Sequence, residues 1–332
     1  MTVLNVTGLK EQAIAQPGED GTYAESRGGT ELMMEGLKVR VDPDLFDKFN
    51  IICSRVRKID PNKPNILWLH DTWDDPESQH LKEEKNLDRF TKLVFVSNYQ
   101  QQTFNMGLGV PYNRGIVLQN AIVPIEPHEK PDQDECLNLI YHTTPHRGLD
   151  ILVPVFEFLV NHLAKTGGRK IHLDVYSSFK IYGWGQRDQQ HAAAIAKCQE
   201  HPNITYHGFQ PNHVVREALK KAHIYSYPNI WPETSGISVL EAMSAGCQVV
   251  CPNFAALPET TANFAMMYNF DEDANRHANI FANMLLQAIN IYGEDSVIEK
   301  LNFQAQYTNN FYNWDFRAAQ WTGFLKSLEK AI

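Results

Sequence analysis

His223-Ile-Tyr-Ser-Tyr-Pro-Asn-Ile-Trp-Pro-Glu-Thr-Ser-Gly-Ile-Ser-Val-Leu-Glu-Ala-Met-Ser-Ala-Gly246 is the stretch that decides the fold. Its apolar opening predicts a strand ending near Pro228, followed by a loop that carries Glu233. A helix opens around Gly236 to Ser238, bears Glu241 and stops at Gly246, which suits a left-handed cap. Gln248-Val-Val-Cys251 then begins the next strand. A helix N-terminus offers free N–H groups and a positive dipole end to an anion such as a diphosphate. Gly236 lets the backbone approach that anion, with Ser235 and Ile237 beside it. Glu241 could accept from a ribose diol and Glu233 could reach sugar hydroxyls. Taken alone, two glutamates eight apart would favour a capping box of Glu241 with Ser238 and a solvated loop charge at Glu233.

Working outward, Tyr141-His-Thr-Thr-Pro-His-Arg-Gly-Leu-Asp150 lies after a strand and before a helix. It combines hydroxyl donors at Thr143 and Thr144 with the guanidinium of Arg147, again an anion-site design. Arg27-Gly28-Gly29-Thr30-Glu31 opens an amphipathic helix; a glycine pair before a helix is on its own a common turn. In Ile66-Leu-Trp-Leu-His70-Asp71 the histidine stands at the carboxyl end of a strand, a position that faces a cleft in parallel sheets.

Short apolar runs recur between helical stretches along the whole chain. They are Val3–Val6, Phe49–Cys53, Ile66–Leu69, Leu93–Val96 and Ile116–Leu118, then Leu137–Tyr141, Ile171–Tyr176, Ile204–His207, His223–Tyr227 and Gln248–Cys251. Such alternation predicts an α/β fold with doubly wound parallel sheets. At 332 residues the chain suits two domains. Val123-Pro-Ile-Glu-Pro-His-Glu-Lys-Pro131 reads as a linker between them. A ligand cleft is expected between the domains, at the carboxyl ends of both sheets.

Composition excludes other classes. The five cysteines scatter without a paired spacing, against a disulfide framework and in favour of a reducing cytoplasmic setting. A net charge of −9 argues against a broad nucleic-acid face. No run reaches the roughly 18 apolar residues of a membrane span, so only peripheral membrane contact stays open. Neither a dinucleotide glycine fingerprint nor a nucleophile elbow is present. Asp42-Pro43-Asp44 mimics an Asp-x-Asp metal motif, but too little chain precedes it to build a nucleotide-binding half. Asp132-Gln-Asp134 and Asp271-Glu-Asp273 lie in polar stretches, and no metal site is expected.

The segment from residue 203 to 252 resembles the Glu-x7-Glu signature of the retaining family 4 glycosyltransferases, including Pro-Glu before it and Leu-Glu-Ala-Met-x-Ala-Gly at its close. The resemblance implies the GT-B architecture, two Rossmann-like domains facing a central cleft. It divides the chain into an acceptor domain (1–122), a linker (123–136), a donor domain (137–310) and a helix crossing back (311–332). It implies that Glu241 binds the donor ribose and that Glu233 contacts the donor sugar near the reacting carbon. The loop at 141–150 is closer to the Ser-Ser-Pro-Asp-Arg-Gly variant of bacterial and phage-type members. His142 stands in the usual Arg place and Arg147 in the Lys place, so Arg147 is expected to neutralise the diphosphate. Lys180 and His142 remain alternatives for a second cation.

Gly28 and Gly29 are similar to the Gly-Gly-x-Glu loop that approaches the donor phosphates. His70 is similar to the active-site histidine whose backbone or ring contacts the transferred sugar. Gly208, within His207 to Gln210, falls where the base is held. Val-Ser at Val96-Ser97, Asn120-Ala121-Ile122 and Trp314 match further landmarks, with Ala121 where glycine is usual.

The expected activity is metal-independent transfer of a sugar from a nucleotide diphosphate donor, UDP- or GDP-linked, to an acceptor hydroxyl with retention. The acceptor is a glycan, a lipid-linked molecule or a small molecule. A GT-B epimerase or phosphorylase, or a non-catalytic sugar-nucleotide-binding protein, would share the scaffold.

Overall fold

The computed structural model describes residues 28–330. The expected strand Val3–Val6 and Arg27 lie outside the described residues. The first half runs α1 (Gly29–Lys38), α2 (Pro43–Phe46), β1 (Asn50–Cys53), β2 (Asn65–Trp68), α3 (Glu84–Leu87), β3 (Lys92–Phe95), α4 (Asn98–Leu108) and β4 (Gly115–Val117). Its strands are parallel, in the order β1-β2-β3-β4. β2 is buried along its whole length, as a strand covered on both faces must be.

The second half contains β5 (Leu137–Tyr141), α5 (Leu149–Thr166), β6 (Ile171–Val175), α6 (Ala192–Glu200), β7 (Ile204–Tyr206) and α7 (Asn212–Lys221). It continues with β8 (Ile224–Ser226), α8 (Ile237–Ser244), β9 (Gln248–Pro252), α9 (Leu257–Thr261), β10 (Met266–Tyr268) and α10 (Ala274–Ile291). The sheet order is β10-β9-β8-β5-β6-β7, again parallel. Strand order therefore reverses between β5 and β8, and loops leaving adjacent strands there part to opposite faces and open a crevice. The strand β10 was not expected from the sequence: Met266-Met267-Tyr268 is three residues long and has no β-branched side chain.

Two last helices, α11 (Asp295–Phe311) and α12 (Trp314–Glu329), return the chain to the first sheet. Trp314, Trp321, Phe324, Leu325 and Leu328 join Met33, Leu37, Trp68 and Leu118 in one core. Trp321 is fully buried, its ring centroid 4.7 Å from that of Trp68. The indole of Trp314 lies where a Cβ on Gly36 would come within 2.1 Å, so α1 and α12 approach closely only because residue 36 is glycine. The chain crosses between the sheets twice at one place. The Ile122 amide donates to the Tyr312 carbonyl at 2.8 Å, and Ile122 and Asn313 form a parallel bridge. Just beyond, the Ile125 amide donates to Ser244 Oγ (2.8 Å), and Asn309 Nδ2 donates to the Ile125 carbonyl (3.1 Å).

Candidate functional site

The site is built at the strand-order reversal. The loop after β5 brings Arg147 and the loop after β8 brings Glu233, and Arg147 Nε donates to Glu233 Oε1 at 2.6 Å. Gly148 makes this meeting possible. Its φ is +114°, and a Cβ there would lie 2.1 Å from the Pro228 carbonyl oxygen, so the two loops touch backbone to backbone. Tyr227 Oη donates to the same Glu233 oxygen at 2.6 Å. A second Arg147 nitrogen donates to Thr144 Oγ1, whose residue carbonyl accepts from Tyr141 Oη at 2.9 Å. Burial works against the Arg147 charge, but Glu233, Tyr182 and Tyr227 more than offset it and hold the guanidinium above its ordinary range. Burial, with Glu233 adding to it, raises the Tyr227 phenol well above its usual value and keeps it a donor.

Beside this ion pair stands the N-terminus of α8. Gly236 is the N-cap at φ +95°, and no side chain caps the helix. The capping-box alternative is not what forms: Ser238 Oγ accepts from Tyr225 Oη at 3.0 Å, while Glu241 Oε1 accepts from Asn212 Nδ2 at 3.1 Å. Arg216 lies 3.7 Å from that Glu241 oxygen and also donates to the Pro124 carbonyl at 2.9 Å, tying it to the linker. Burial raises the Glu241 carboxyl, and Asn212 and Arg216 oppose this.

The glycine pair faces α8 from the first sheet. A Cβ on Gly29 would stand 3.0 Å from Ile237 Cδ1, and one on Gly28 would stand 2.4 Å from the Tyr182 ring. Neither position leaves room for a side chain without displacing a group of the second unit. His70 sits after β2, its amide donating to Ser54 Oγ (2.9 Å) and its carbonyl accepting from Thr234 Oγ1 (2.8 Å). Its carbonyl is thus committed, whereas both ring nitrogens are buried without a partner. Burial pushes its imidazole down to about 4, so the ring is neutral near pH 7.

The remaining expected residues divide. Thr143 is half-buried, Ser235 is buried and Gly208 is left-handed at φ +62° beside Tyr206. His142 lies against Tyr225, with ring centroids 4.6 Å apart, and burial holds it at about 3. A neutral imidazole does not supply a second cation. Lys180 is exposed on the same turn as Tyr182.

The acidic pairs elsewhere have structural work: Asp42 accepts from the Leu45 amide at 3.0 Å and caps α2, Asp132 accepts from the Asp134 amide, and Asp273 caps α10. A cavity of about 740 Å³ between the linker and α11 shares none of the expected site residues. No helix among the described residues is long and apolar enough to cross a membrane.

Sequence reasoning missed Tyr227, Asn212, Arg216 and Thr234. Asn212 and Arg216 carried a faint signal, since they are four apart on one helix and so share a face.

Residues 127–285 match the family described as Glycosyl transferases group 1. No curated protein matches the chain significantly. Among solved structures, a glycosyltransferase from Rickettsia africae ESF-5 is 14% identical at a TM-score of 0.66, with 95% of this chain and 84% of that one covered. TarM, from S. aureus, is 15% identical at a TM-score of 0.62, and the match takes in 89% of this chain but 58% of TarM. Anabaena Alr3699/HepE, solved in complex with UDP-glucose, is 13% identical at a TM-score of 0.58, with 80% and 72% covered. Identities this low establish architecture: the fold is GT-B, with two parallel-sheet units facing each other. The family match supports glycosyl transfer from a nucleotide sugar.

Proposed function

We propose that the chain is a retaining, metal-independent glycosyltransferase of the family 4 type, moving a hexosyl unit from a nucleotide diphosphate sugar to an acceptor hydroxyl in the cytoplasm. The observation that carries this reading is the meeting of the Arg147–Glu233–Tyr227 cluster with the uncapped N-terminus of α8 at the strand-order reversal. On this reading residues 1–122 serve the acceptor, which is a glycan, a lipid-linked molecule or a small molecule. Residues 137–310 serve the donor, 123–136 link the two, and 311–332 cross back.

In the mechanism, the diphosphate lies on the amides around Ile237, with Thr143, Thr144 and the free donors of Arg147 toward it and Gly28 and Gly29 opposite. Lys180 is the remaining candidate for a second cation. Glu241 holds the ribose diol with its second oxygen, Glu233 the donor sugar, and Gly208 lies beside the base. The bond between the anomeric carbon and the diphosphate oxygen breaks, and charge grows on that oxygen. Fixed donors aimed there lower the barrier because they need no reorganisation. The acceptor oxygen bonds the same face of the carbon, and its proton passes to the departing diphosphate. The neutral His70 ring offers one N–H and one lone pair to the sugar.

A thermal-shift panel of UDP, GDP, ADP and their sugar conjugates, with and without EDTA, tests the reading. UDP comes first because it is the nucleotide bound in the HepE structures. Ligand at a hundredfold excess over Kd stabilises the folded state by about 2.7 kcal/mol. The expected result is a shift with one base that EDTA leaves in place. Loss of the shift in EDTA would overturn metal independence, and no shift with any nucleotide would overturn the donor site.

A further inference from the structure

The loop that carries Glu233 is held by its backbone on both sides of the cleft. The Glu233 carbonyl accepts from the Ala256 amide at 3.1 Å, and the Ser235 carbonyl accepts from Thr260 Oγ1. Both partners belong to α9 and its N-cap, within the second unit. The carbonyl between them, that of Thr234, instead accepts from Ser97 Oγ of the first unit at 2.6 Å. Thr234 returns a bond across the cleft from its own hydroxyl to the His70 carbonyl. The loop and α9 therefore form one block facing the first unit.

The same block reaches across a second time. Glu259, on α9, accepts from the Asn98 amide (2.9 Å) and from Asn98 Nδ2 (2.9 Å) with one oxygen, and from the Tyr99 amide (3.0 Å) with the other. Asn98 and Tyr99 are the first residues of α4, whose opening amides have no partner inside the helix. A carboxylate there is favoured by those free donors and by the helix dipole. The receiving surface is tied together by hydrogen bonds: Gln100, fully buried, accepts from the Val96 amide and donates to the Asp71 carbonyl beside His70.

We propose that Glu259 and Thr234 form a latch across the cleft and act as positioning residues for transfer. Glu259 holds the two units closed, and Thr234 sets the distance between the loop of Glu233 and the strand end of His70. Opening the cleft must release both at once, because one block carries them. The bearing on turnover rests on the transferase reading; the latch itself does not.

The experiment compares the full wild-type chain with Glu259→Ala, Thr234→Val and Thr234→Ser, each first shown to keep a cooperative unfolding transition. Hydrogen exchange at the Asn98 and Tyr99 amides reads the latch directly, without any ligand. The expected result is exchange at least about tenfold faster in Glu259→Ala, from loss of bonds to a charged acceptor. Turnover is read as UDP release from UDP-glucose, and affinity as the Kd for UDP. Thr234→Val should cut kcat about tenfold while Kd for UDP stays within about twofold, and Thr234→Ser should restore kcat. Unprotected amides in the wild type, an unchanged kcat in Thr234→Val, or failure of the serine variant to rescue would each overturn the latch as drawn. A wild type that neither binds UDP nor releases it would sink the UDP form of the functional reading, while the amide exchange would still decide the latch.

Discussion

The two lips of the cleft are made from different chemistry. The second unit supplies side chains: Arg147 and Tyr227 meet on Glu233, and Glu241 on α8 is held by Asn212 and Arg216. The first unit supplies mostly main chain, through Gly28 and Gly29, the His70 carbonyl and the opening amides of α4. A charged lip binds and stabilises, while a backbone lip covers without adding charge or long flexible side chains. Substitutions should therefore be felt as lost chemistry on one side and as lost fit on the other.

The sharpest break of that contrast is Arg147→Ala. It strands the buried Glu233 carboxylate, and removing one partner of a buried pair costs about 3–5 kcal/mol. The expected outcome is a large fall in the urea midpoint and a loss of turnover of at least about a hundredfold. Adding Glu233→Gln should return part of the stability and none of the activity; a midpoint that does not recover would mean the pair is not the source of the loss.

On the backbone lip the matching change is Gly28→Ala. Its Cβ would meet the Tyr182 ring at 2.4 Å, and overpacking of that kind costs about 1–3 kcal/mol. Nucleotide affinity should fall, and Tyr182→Ala should restore it in the double variant. Restoration is the outcome that identifies fit rather than charge as what was lost.

The pH profile sharpens the comparison further. Burial holds His70, His142 and His277 at about 4, 3 and 4, below the ordinary 6.5. The unfolded chain therefore binds protons first on acidification. Stability from these groups is fully present above pH 6.5 and is lost as pH falls toward 4. His277, fully buried on α10, should account for about 2–3 kcal/mol of this. Glu241 works the other way, because burial favours its protonated form in the folded state and offsets part of the loss. Urea midpoints measured from pH 8 to 5 should fall below pH 6.5, with two of the three histidines placing that loss on the second unit. A flat profile would show that the rings are not buried neutral.

The smallest effect belongs to Asp42→Ala. Loss of this cap on a four-residue helix should cost at most about 1 kcal/mol and leave UDP affinity unchanged with or without Mg²⁺. A metal-dependent change in affinity would instead return the Asp42-Pro43-Asp44 motif to consideration.

The same asymmetry explains what the sequence disclosed. Glu233 and Arg147 could be found because each stands in a local pattern of strand, turn and helix. Their bond could not, since they lie 86 positions apart and meet only through the reversal between β5 and β8. Strands carrying β-branched residues were legible, and β10 was not, because Met266-Met267-Tyr268 has none. Gly28 and Gly29 were visible as glycines, but what crowds them, Tyr182 and Ile237, comes from the other unit. Thr234 and Glu259 left no trace, since a hydroxyl and a carboxylate that bind distant main-chain groups need no partner at a fixed spacing.

The double passage beside Ile122 and Asn313 has a consequence for anyone recombining this chain with relatives. The second unit leaves and rejoins the first at adjoining points, so it is in effect a cassette set into a host. A chimera cut once near residue 122 would give the host a foreign final helix and strand Trp321 away from the core it completes. Two cuts, at 122 and 313, would exchange the second unit as one piece and leave the host its own roof.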